Sequence, residues 1–460
     1  MTTKQLVCTS PINGEIYATR DTLSSPLARE RVQSAKIAQK EWAKRSTDER
    51  IQIVMKAIDY IGDDKDRMVE ELAHQMGRPV RYGGEFSGFQ ERASYMASIA
   101  NEALATTTVE DTEHFSRMIK REPQGVVLVV APWNYPYMTA INTVVPALIA
   151  GNSVVLKHST QTLLVGEHLA EAFHHAGVPA DVFQNVFLDH QTTSDLISTR
   201  SFDFINFTGS VAGGIAMETA AAGTFTAVST ELGGKDPGYV MEDADIDQAV
   251  DSLIDGAMFN SGQCCCGIER IYVHESIYDE FLAKAIALVK SYKLGNPLDH
   301  ATTIGPMANI RFATEVRSQL SEALTAGAIA HIPQFPEDNG SDCYVTPQIL
   351  TNVDHHMRIM REETFGPVVG IMKVTTDSEA ITMMNDSEFG LSVSLWSTDA
   401  ARCEDLGEQL ETGTVFMNRC DYLDPALCWT GCKNTGRGAG LSSLGFHAVT
   451  RPKSYHLKKR

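Results

Sequence analysis

The sequence predicts an α/β protein with two parallel sheets, because short apolar strands alternate with helices in two separate stretches. In the first stretch, residues 126–130 and 153–156 are continuous apolar runs, and a helix is predicted over 142–149 between them. Residues 182–187 and 202–207 continue the series of strands. This repetition of strand, helix and strand is typical of a parallel sheet that binds a nucleotide.

The second stretch begins near Glu231 and repeats the alternation. Residues 243–246 supply capping side chains for a helix that runs towards Phe259. Residues 271–273 form a predicted strand, and Ser276 opens an amphipathic helix. A second α/β domain is the simplest interpretation of this pattern.

The chain before the first sheet is predicted to be helical over residues 24–105, where Ser-Thr-Asp-Glu at 46–49 forms a capping box. Residues 106–123 and 454–459 instead have the alternating pattern of strands. Two ordinary surface edges would explain both segments.

Charge and hydropathy exclude several classes of function. The chain has 460 residues and a formal net charge of -19, which would repel nucleic acid and anionic membranes, so neither is expected as a partner. The most apolar tracts, residues 125–131 and 144–150, are too short to span a bilayer. Residues 1–10 lack the pattern of a secretory signal.

The nine cysteines do not have the pattern of a disulfide framework, since their number is odd and three are adjacent. The sequence contains no Cys-x-x-Cys pair or histidine cluster with the spacing of zinc ligands, so no metal is expected. Both observations indicate a protein of the reducing cytoplasm.

The three adjacent cysteines, residues 264–266, follow the small polar sequence Asn-Ser-Gly-Gln at 260–263. Free cysteines often only pack as small apolar side chains. A cysteine delivered by a polar turn can instead present a thiolate, which is the attacking form of this side chain. The triplet by itself does not decide between these interpretations.

Four further segments accompany the triplet. They are Pro-Trp-Asn-Tyr-Pro at 132–136, Phe-Thr-Gly-Ser at 207–210 with Gly214 beyond it, Glu-Leu-Gly-Gly-Lys at 231–235, and Glu-Glu-Thr-Phe-Gly-Pro-Val at 362–368. Together with Asn-x-Gly-Gln-x-Cys at 260–265, they resemble the motifs of the aldehyde dehydrogenase superfamily, in the expected order and over nearly the whole chain. The chain is therefore identified as resembling the non-acylating, NAD(P)-dependent members of this superfamily.

The resemblance implies a division of the chain into three parts. Residues 1–105 and 124–230 would form a Rossmann-like cofactor domain, and residues 231–433 a catalytic domain. Residues 106–123 and 445–460 would pair into a small projecting β-sheet for oligomerisation, giving a homodimer or homotetramer.

The resemblance selects Cys265 as the nucleophile, Asn134 as the oxyanion donor and Glu231 as the base that activates water. A thiolate can attack an aldehyde carbon, and an amide can donate an N–H without adding a titrating charge. Two glycines after Glu231 leave room for the carboxylate to move. Taken singly, Asn134 could merely shape a turn and Glu231 could be a solvated carboxylate at a helix end.

The implied reaction is the oxidation of an aldehyde to a carboxylic acid, through a thiohemiacetal and then a thioester on the cysteine. Coenzyme-A-acylating relatives commonly lack a base at the position of Glu231, so its presence favours hydrolysis. A specialised semialdehyde dehydrogenase is the alternative within this class. A catalytically silent nucleotide-binding structural protein and a thiol esterase are alternatives outside it.

The resemblance also assigns a set of residues to the cofactor: Trp133, Lys157, Thr160, Gly209, Ser210, Gly214, Glu363 and Phe365. The glycine-rich loop at 209–214 follows a predicted strand and opens a predicted helix, whose backbone N–H groups can hold a pyrophosphate. By its spacing alone this loop would be a weak signal, since it is not Gly-x-Gly-x-x-Gly.

One departure from the family pattern bears on the choice between NAD and NADP. Members strict for NAD often carry a carboxylate three residues after the lysine, where it binds the adenosine ribose and repels a 2′-phosphate. Here Thr160 occupies that position after Lys157, and His158 lies nearby. The sequence therefore predicts dual or NADP-leaning use.

The pocket for the small-molecule aldehyde is the least specified part of the site. Its expected lining is the pair of cysteines beside the nucleophile, Tyr137, Met138 and the loop 419–429. The aromatic and apolar side chains of that loop indicate a semi-aliphatic or aromatic aldehyde, but they could equally be core residues. Arg419 and Asp421 could instead bind a polar substrate tail.

Overall fold

The computed structural model describes residues 4–335 and 340–459. Two large, mostly parallel sheets dominate the fold, accompanied by a three-stranded antiparallel sheet and two short antiparallel pairs. The predicted α/β fold class, with two parallel sheets and a small β extension, is confirmed. Within the described residues, no helix combines the length and apolar character that a bilayer crossing requires.

The described residues contain fifteen α-helices, in addition to short 3-10 segments. They are α1 (Ser25–Trp42), α2 (Thr47–Asp63), α3 (Lys65–Met76), α4 (Phe86–Ala103), α5 (Pro136–Ile149), α6 (Leu163–Ala176), α7 (His190–Ser198), α8 (Val211–Ala221), α9 (Ile246–Met258), α10 (Tyr278–Lys290), α11 (Ile310–Thr325), α12 (Arg358–Arg361), α13 (Asp377–Asn385), α14 (Ala400–Gly407) and α15 (Ser442–Ala448).

The same residues contain twenty strands. They are β1 (Gln5–Thr9), β2 (Ile16–Asp21), β3 (Thr107–Asp111), β4 (Phe115–Pro123), β5 (Val126–Val130), β6 (Ser153–Lys157), β7 (Phe183–Asn185), β8 (Phe204–Thr208), β9 (Ala227–Glu231), β10 (Asp236–Val240), β11 (Ile268–His274), β12 (Ile329–Ala330), β13 (Gln348–Thr351), β14 (Val368–Val374), β15 (Phe389–Gly390), β16 (Ser392–Trp396), β17 (Thr414–Met417), β18 (Cys432–Lys433), β19 (Gly436–Arg437) and β20 (Thr450–Lys458).

The first sheet has the strand order β19-β9-β8-β5-β6-β7, and only β19 is antiparallel to its neighbour. Its central strand β5 is apolar throughout because both of its faces are covered. Val127 and Val129 pack into one core with α4, α5 and α6, while Val126 and Leu128 pack into a second core with α1. Alternate side chains of one strand therefore serve two opposite layers of helices.

The second sheet has the strand order β12-β13-β14-β11-β10-β16-β17, and its strands are parallel except for β12. Its central strands are again buried on both faces of the sheet. Helices α9 and α10 pack on one of these two faces. Glu231, the first residue of the predicted second domain, is the last residue of β9 in the first sheet. A short segment thus leads directly from one sheet to the other.

The three-stranded sheet has β4 at its centre, with β3 and β20 as its two edges. Strand β20 pairs with β4 in a continuous antiparallel register from Thr450 opposite Pro123 to Lys458 opposite Phe115. The two segments with alternating patterns at 106–123 and 454–459 therefore do share a sheet within the chain. Both of its edges leave backbone N–H and C=O groups unpaired.

Two element boundaries differ from the predicted ones. The helix predicted over 142–149 begins six residues earlier as α5, because Pro136 suits the first helical position. Its first backbone N–H groups are capped by the side chain of Glu85 from a distant part of the chain, a contact that no local pattern reveals. The strand predicted over 182–187 is shorter and covers only Phe183–Asn185.

The connection from α9 to β11 is a turn with an unusual backbone. Asn260, Ser261 and Gly262 have φ angles of 54°, 58° and 71°, so three consecutive residues are left-handed. Side chains fix this backbone: Ser261 Oγ donates to the Gly305 carbonyl at 2.8 Å, and Gln263 Nε2 donates to the Asn260 carbonyl at 2.9 Å. Left-handed conformations are costly for residues with a side chain, so these contacts are needed to hold the turn.

Gly262 is also the point where this turn meets the segment at 362–368. A Cβ atom at Gly262 would lie 2.2 Å from the carbonyl oxygen of Gly366 and 2.8 Å from the nitrogen of Pro367. Both neighbours are backbone atoms, which cannot rotate away. The glycine is therefore required by its conformation and by the close approach of two loops.

We expect Gly262→Ala to destabilise the protein more than Gly223→Ala, which is a matched control. Gly223 has a similar φ of 77° but nothing within 4 Å of its Cβ position. The control should cost about 1–2 kcal/mol for the left-handed backbone, and Gly262→Ala about 1–3 kcal/mol more for the overlap. Urea unfolding measures both. Equal losses would show that the two loops do not touch at Gly262.

Candidate active site

The three adjacent cysteines follow the left-handed turn and precede β11. Their Sγ atoms all lie within 4.8 Å of one another. Cys264 and Cys266 are buried, with their Sγ atoms 3.5 Å apart, whereas Cys265 is partly exposed. Of the three thiols, Cys265 is thus the one that a substrate can reach.

The environment of Cys265 disfavours its charged form. A hydrogen bond with the Cys264 thiol raises the pKa of Cys265 well above its usual range, and burial raises it further. Its backbone N–H has no acceptor within the described part of the chain. The thiolate is therefore scarce at neutral pH and gains from nearby groups that stabilise negative charge.

Asn134 lies in the loop between β5 and α5, and its backbone is held firmly. Its carbonyl oxygen accepts hydrogen bonds from Arg78 Nη2 at 2.6 Å and from Asn260 Nδ2 at 3.3 Å. The second of these bonds comes from the turn that carries the cysteines. The side-chain amide of Asn134 has no partner among the described residues and remains open to water. It is free to donate to a bound molecule.

A buried ion pair supports this loop from behind. Arg78 Nη1 donates to Glu85 Oε1 at 2.7 Å, and both side chains are almost fully buried. The other oxygen of Glu85 accepts the backbone N–H groups of Tyr137 and Met138, at 3.0 and 2.9 Å, in the first turn of α5. Sequence reasoning did not find either residue, since neither belongs to a motif and each acts on a distant segment.

Glu231 ends β9 with its carboxylate in a confined space. A Cβ atom at Gly440 would lie 2.9 Å from Oε1, and Thr208 Oγ1 donates to Oε2 at 3.5 Å. Burial raises the pKa of Glu231 to about 7, although the positive charge of Arg92 and the Thr208 hydrogen bond act in the opposite direction. A carboxylate with this pKa can take up and release a proton near neutrality.

The segment that follows Glu231 packs directly on the cysteine turn. A Cβ atom at Gly234 would lie 2.6 Å from the Cys265 carbonyl oxygen, so only glycine allows this approach. The next residue, Lys235, is fully buried and its Nζ lies 2.5 Å from Glu269 Oε2. Glu269 in turn accepts the backbone N–H of Phe365 at 2.8 Å. This second buried ion pair joins two of the five motif segments, 231–235 and 362–368, through Glu269 in β11, which belongs to no motif.

The glycine-rich loop begins the helix α8 in a form that allows close backbone approach. Ser210 is the N-cap residue, and its Oγ accepts the Gly213 backbone N–H at 3.2 Å. Cβ atoms at Gly209 and Gly213 would collide with the Phe207 ring, and one at Gly214 would collide with Leu232. The first N–H groups of the helix have no intrahelical acceptor and can bind an anion.

Lys157, the last residue of β6, is 9% exposed and its Nζ has no hydrogen-bond acceptor among the described residues. Burial lowers its pKa. Thr160 follows at the start of a short 3-10 segment and is partly exposed. His158 does not contribute beside them, contrary to expectation. Its Nε2 lies 3.2 Å from the Pro136 carbonyl oxygen, and burial lowers its pKa to about 4, so the ring is neutral and turned inward.

The remaining predicted cofactor residues are Glu363, Phe365 and Trp133, and they lie near the ion pair of Lys235 and Glu269. Glu363 Oε1 accepts the Gly234 backbone N–H at 3.1 Å, and burial raises the pKa of Glu363 to about 8. Phe365 has a φ of 51° and contacts the ring of Trp133 edge-on, with 5.5 Å between centroids. Trp133 also stacks on Phe312 at 4.9 Å, a ring that no motif indicates.

These features fit a dinucleotide. The first backbone N–H groups of α8 suit a pyrophosphate, and Lys157, which has no acceptor among the described residues, suits ribose hydroxyls or a phosphate. Glu363 lies beside Gly234, which packs on the backbone of Cys265. The fit rests on donors without acceptors and on glycines where a side chain would fill the space.

The residues expected to line the substrate pocket have contacts of their own. Tyr137 is buried in the core, and its hydroxyl lies 2.8 Å from His168 Nδ1 on α6. In the loop 419–429, the hydroxyl of Tyr422 donates to Glu91 Oε1 on α4 at 2.5 Å. The guanidinium of Arg419 lies over the same ring at 3.9 Å from its centroid.

Comparison with known proteins identifies the family of the chain. The chain matches the model of the aldehyde dehydrogenase family over residues 1–455. It is 32% identical over 451 residues to an aldehyde dehydrogenase of Paenarthrobacter nicotinovorans, which covers 96% of this chain and 98% of that protein. It is 30% identical over 446 residues to the NADP+ succinate-semialdehyde dehydrogenase of Deinococcus radiodurans, and the alignment covers 96% of this chain and 93% of that protein.

A solved structure gives the same result. The succinic semialdehyde dehydrogenase of Streptococcus pyogenes, in complex with NADP+, superposes with a TM-score of 0.94 at 28% identity, covering 98% of this chain and 100% of that one. The chain therefore belongs to the aldehyde dehydrogenase family and is an NAD(P)-dependent enzyme that oxidises an aldehyde.

Proposed function

We propose that the protein catalyses the oxidation of an aldehyde to a free carboxylic acid through a covalent intermediate on Cys265. Asn134 and Glu231 assist this reaction. One observation carries this proposal. The segment of Glu231, whose pKa is about 7, packs through Gly234 on the backbone of the one accessible thiol of the triplet. A base suited to activating water at neutral pH thus belongs to the same small unit as the nucleophile.

The first half of the reaction forms a bond to sulfur. The thiol proton passes to water, and the Cys265 thiolate attacks the aldehyde carbon to give a thiohemiacetal alkoxide. The free amide of Asn134 and the backbone N–H of Cys265 donate to the developing oxyanion. When bound, NAD(P)+ supplies the hydride acceptor, and Lys157, the start of α8 and Glu363 would hold it.

The second half releases the acid. Glu231 takes a proton from water, and the resulting hydroxide adds to the thioester carbon. The C–S bond then breaks, which returns the Cys265 thiolate and frees the carboxylic acid. Hydrolysis rather than transfer to coenzyme A is supported by the presence of this carboxylate with its raised pKa.

We expect Glu231→Gln to stop after one turnover per subunit and to accumulate the thioester, because water is no longer activated. The steady rate should fall by about 10²- to 10⁴-fold. In the native enzyme this rate should rise with pH through about 7 as Glu231 ionises, and the variant should lose that rise. Rapid-mixing absorbance of the reduced cofactor and intact-protein mass measure both effects.

The matched control is Glu30→Gln on the exposed surface of α1, which should behave as the native enzyme. Continued multiple turnover by Glu231→Gln at the native rate would remove Glu231 from the mechanism.

We infer that the enzyme accepts NADP as well as NAD, with dual or NADP-leaning use. Thr160 offers a hydroxyl where a carboxylate would repel a 2′-phosphate, and the amine of Lys157 has no partner among residues 4–335 and 340–459. The buried, neutral ring of His158 has no part in this preference.

We expect Thr160→Glu to weaken NADP binding by at least about tenfold relative to NAD, because it restores the repulsive charge. Thr160→Gln, of equal size and without charge, is the matched control and should change the ratio little. Fluorescence titration gives both dissociation constants. The inference is wrong if the native enzyme binds NADP more than about 10²-fold more weakly than NAD, roughly 2.7 kcal/mol.

We further infer that the three-stranded sheet mediates a homodimer or homotetramer. Its edge strands β3 and β20 carry the exposed apolar side chains Val109 and Leu457, and Ile119 of β4 is also exposed. Apolar side chains beside unpaired strand edges favour association with a second copy of the chain.

We expect Leu457→Lys to give a smaller species in light-scattering chromatography, since it puts a charge in the proposed interface. Leu27→Lys is the matched control, because Leu27 is also 51% exposed but lies on α1. An unchanged mass for both variants would place any interface elsewhere.

We also infer that the protein works in the reducing cytoplasm. Its nine cysteines are all free thiols. A reducing compartment would keep the nucleophile Cys265 from forming a disulfide with its neighbours.

A further inference from the structure

One buried cation beside the proposed catalytic residues has almost no acceptor. Arg92 lies on α4 and is 9% exposed. Its guanidinium makes one hydrogen bond to a neutral group, from Nη1 to Asn142 Oδ1 on α5 at 3.3 Å. Across residues 4–335 and 340–459, it takes part in no ion pair. A guanidinium has five N–H donors, so most of its capacity is unused.

The other buried guanidinium groups of the described chain are fully engaged. Arg50 donates to backbone carbonyls at the ends of α1 and α5, and Arg78 donates to Glu85, Asn134 and Asn260. Arg270 donates to four backbone carbonyls and a tyrosine hydroxyl. Burying a charge without partners is costly, which is why these groups are paired. Arg92 is the exception among them.

The buried lysines give a second comparison. Lys235 is paired with Glu269, whereas Lys157 has no acceptor in the part of the chain that the structure describes. Lys157 is the one that belongs to the proposed cofactor site. Arg92 resembles Lys157 in this respect. Some buried side-chain atoms of the described residues have neither a hydrogen-bond partner nor contact with solvent, and no nitrogen of Arg92 is one of them. The nitrogens of Arg92 that make no hydrogen bond therefore still contact solvent. Both cations are therefore buried, short of protein acceptors, and still in contact with solvent.

The helix that carries Arg92 packs beside the segments of the proposed active site. Helix α4 packs against α5, where a Cβ atom at Gly88 would lie 2.5 Å from the sulfur of Met138. The residue before Arg92, Glu91, accepts the hydrogen bond from Tyr422 in the loop 419–429. The charge of Arg92 also acts on Glu231, whose pKa it lowers. Arg92 thus bonds α5 on a helix that also contacts the loop 419–429, and its charge acts on the proposed base.

The two carboxylates nearby are committed elsewhere. Both oxygens of Glu85 are used by Arg78 and by the first turn of α5. Glu231 has to change its protonation state during the proposed reaction, so it cannot be a permanent partner for Arg92. The site lacks one negative charge that a ligand could supply.

We propose that Arg92 binds a carboxylate at the far end of the substrate, so that the preferred substrates are aldehydes that carry an acid group. This inference rests on the proposed function, since it concerns the aldehyde that reaches Cys265. Asn142 holds one nitrogen of the guanidinium, and the remaining edge can bind a carboxylate through two parallel hydrogen bonds. One positive charge matches one carboxylate, and it favours the semialdehyde alternative over the neutral aromatic aldehyde that the loop 419–429 indicates.

The test compares two aldehydes of equal length, succinate semialdehyde and butanal, in the native enzyme and in Arg92→Gln. The native enzyme should prefer the carboxylated aldehyde. Arg92→Gln should lower its kcat/KM by roughly 10- to 100-fold, mainly through KM, because a charged hydrogen bond made in the ground state is lost. Butanal should change by less than about threefold, since it does not make that contact.

Two further variants sharpen the result. Arg92→Lys keeps the charge without the planar fork and should give an intermediate loss for the carboxylated aldehyde. Arg29→Gln, at an exposed position on α1, is the control and should leave both aldehydes unchanged. An equal fall for both aldehydes in Arg92→Gln would show that Arg92 acts on the catalytic groups, which overturns the proposal. A native preference for butanal would also overturn it.

A binding measurement separates this inference from the proposed function, because it needs no turnover. Butanoate should protect Cys265 from alkylation by iodoacetamide in the native protein, and butanamide should protect much less. The protection by butanoate should be lost in Arg92→Gln. Equal protection by both compounds would overturn the carboxylate site even if aldehyde oxidation is confirmed. Protection in a protein that oxidises no aldehyde would support the site and contradict the proposed function.

Discussion

The left-handed turn at residues 260–262 is the constraint on which the candidate site depends. The side chain of Asn260 bonds the backbone of Asn134, and Gly262 touches the backbone of Gly366. Just beyond the turn, the carbonyl of Cys265 fits against Gly234. The proposed nucleophile, oxyanion donor, base and cofactor segments come from four parts of the chain. They meet at this turn and at Cys265 through one side-chain hydrogen bond from Asn260 and two close backbone contacts at Gly262 and Gly234.

Two buried ion pairs hold the segments around that turn. Arg78 with Glu85 secures the loop of Asn134 and the start of α5, and Lys235 with Glu269 secures the loop of Phe365. Buried pairs contribute little net stability, because desolvation offsets their attraction, but removing one partner typically costs about 3–5 kcal/mol. Their role here is therefore to fix geometry. Arg92 is also buried but makes a single hydrogen bond, whereas the other buried arginines of the described chain make at least three each, and this contrast supports the proposed ligand contact.

The sequence was sufficient for the fold class and for the five motif segments, because apolar periodicity and glycine-rich turns are local signals. It could not indicate Arg78, Glu85 or Arg92, since each lies on or near a helix without a motif and contacts a segment distant in sequence. It also misjudged His158, whose burial follows from packing and not from neighbouring residues. Contacts between distant segments, and burial at a given position, depend on the assembled fold.

The central claim is that the thiol of Cys265 becomes covalently acylated during aldehyde oxidation. Peptide mass mapping after acid quenching, with aldehyde and NAD(P)+ present, tests it most directly. We expect the acyl adduct on Cys265, and we expect Cys265→Ser to form no reduced cofactor. An adduct on Cys264 or Cys266, or native turnover by Cys265→Ser, would contradict the account.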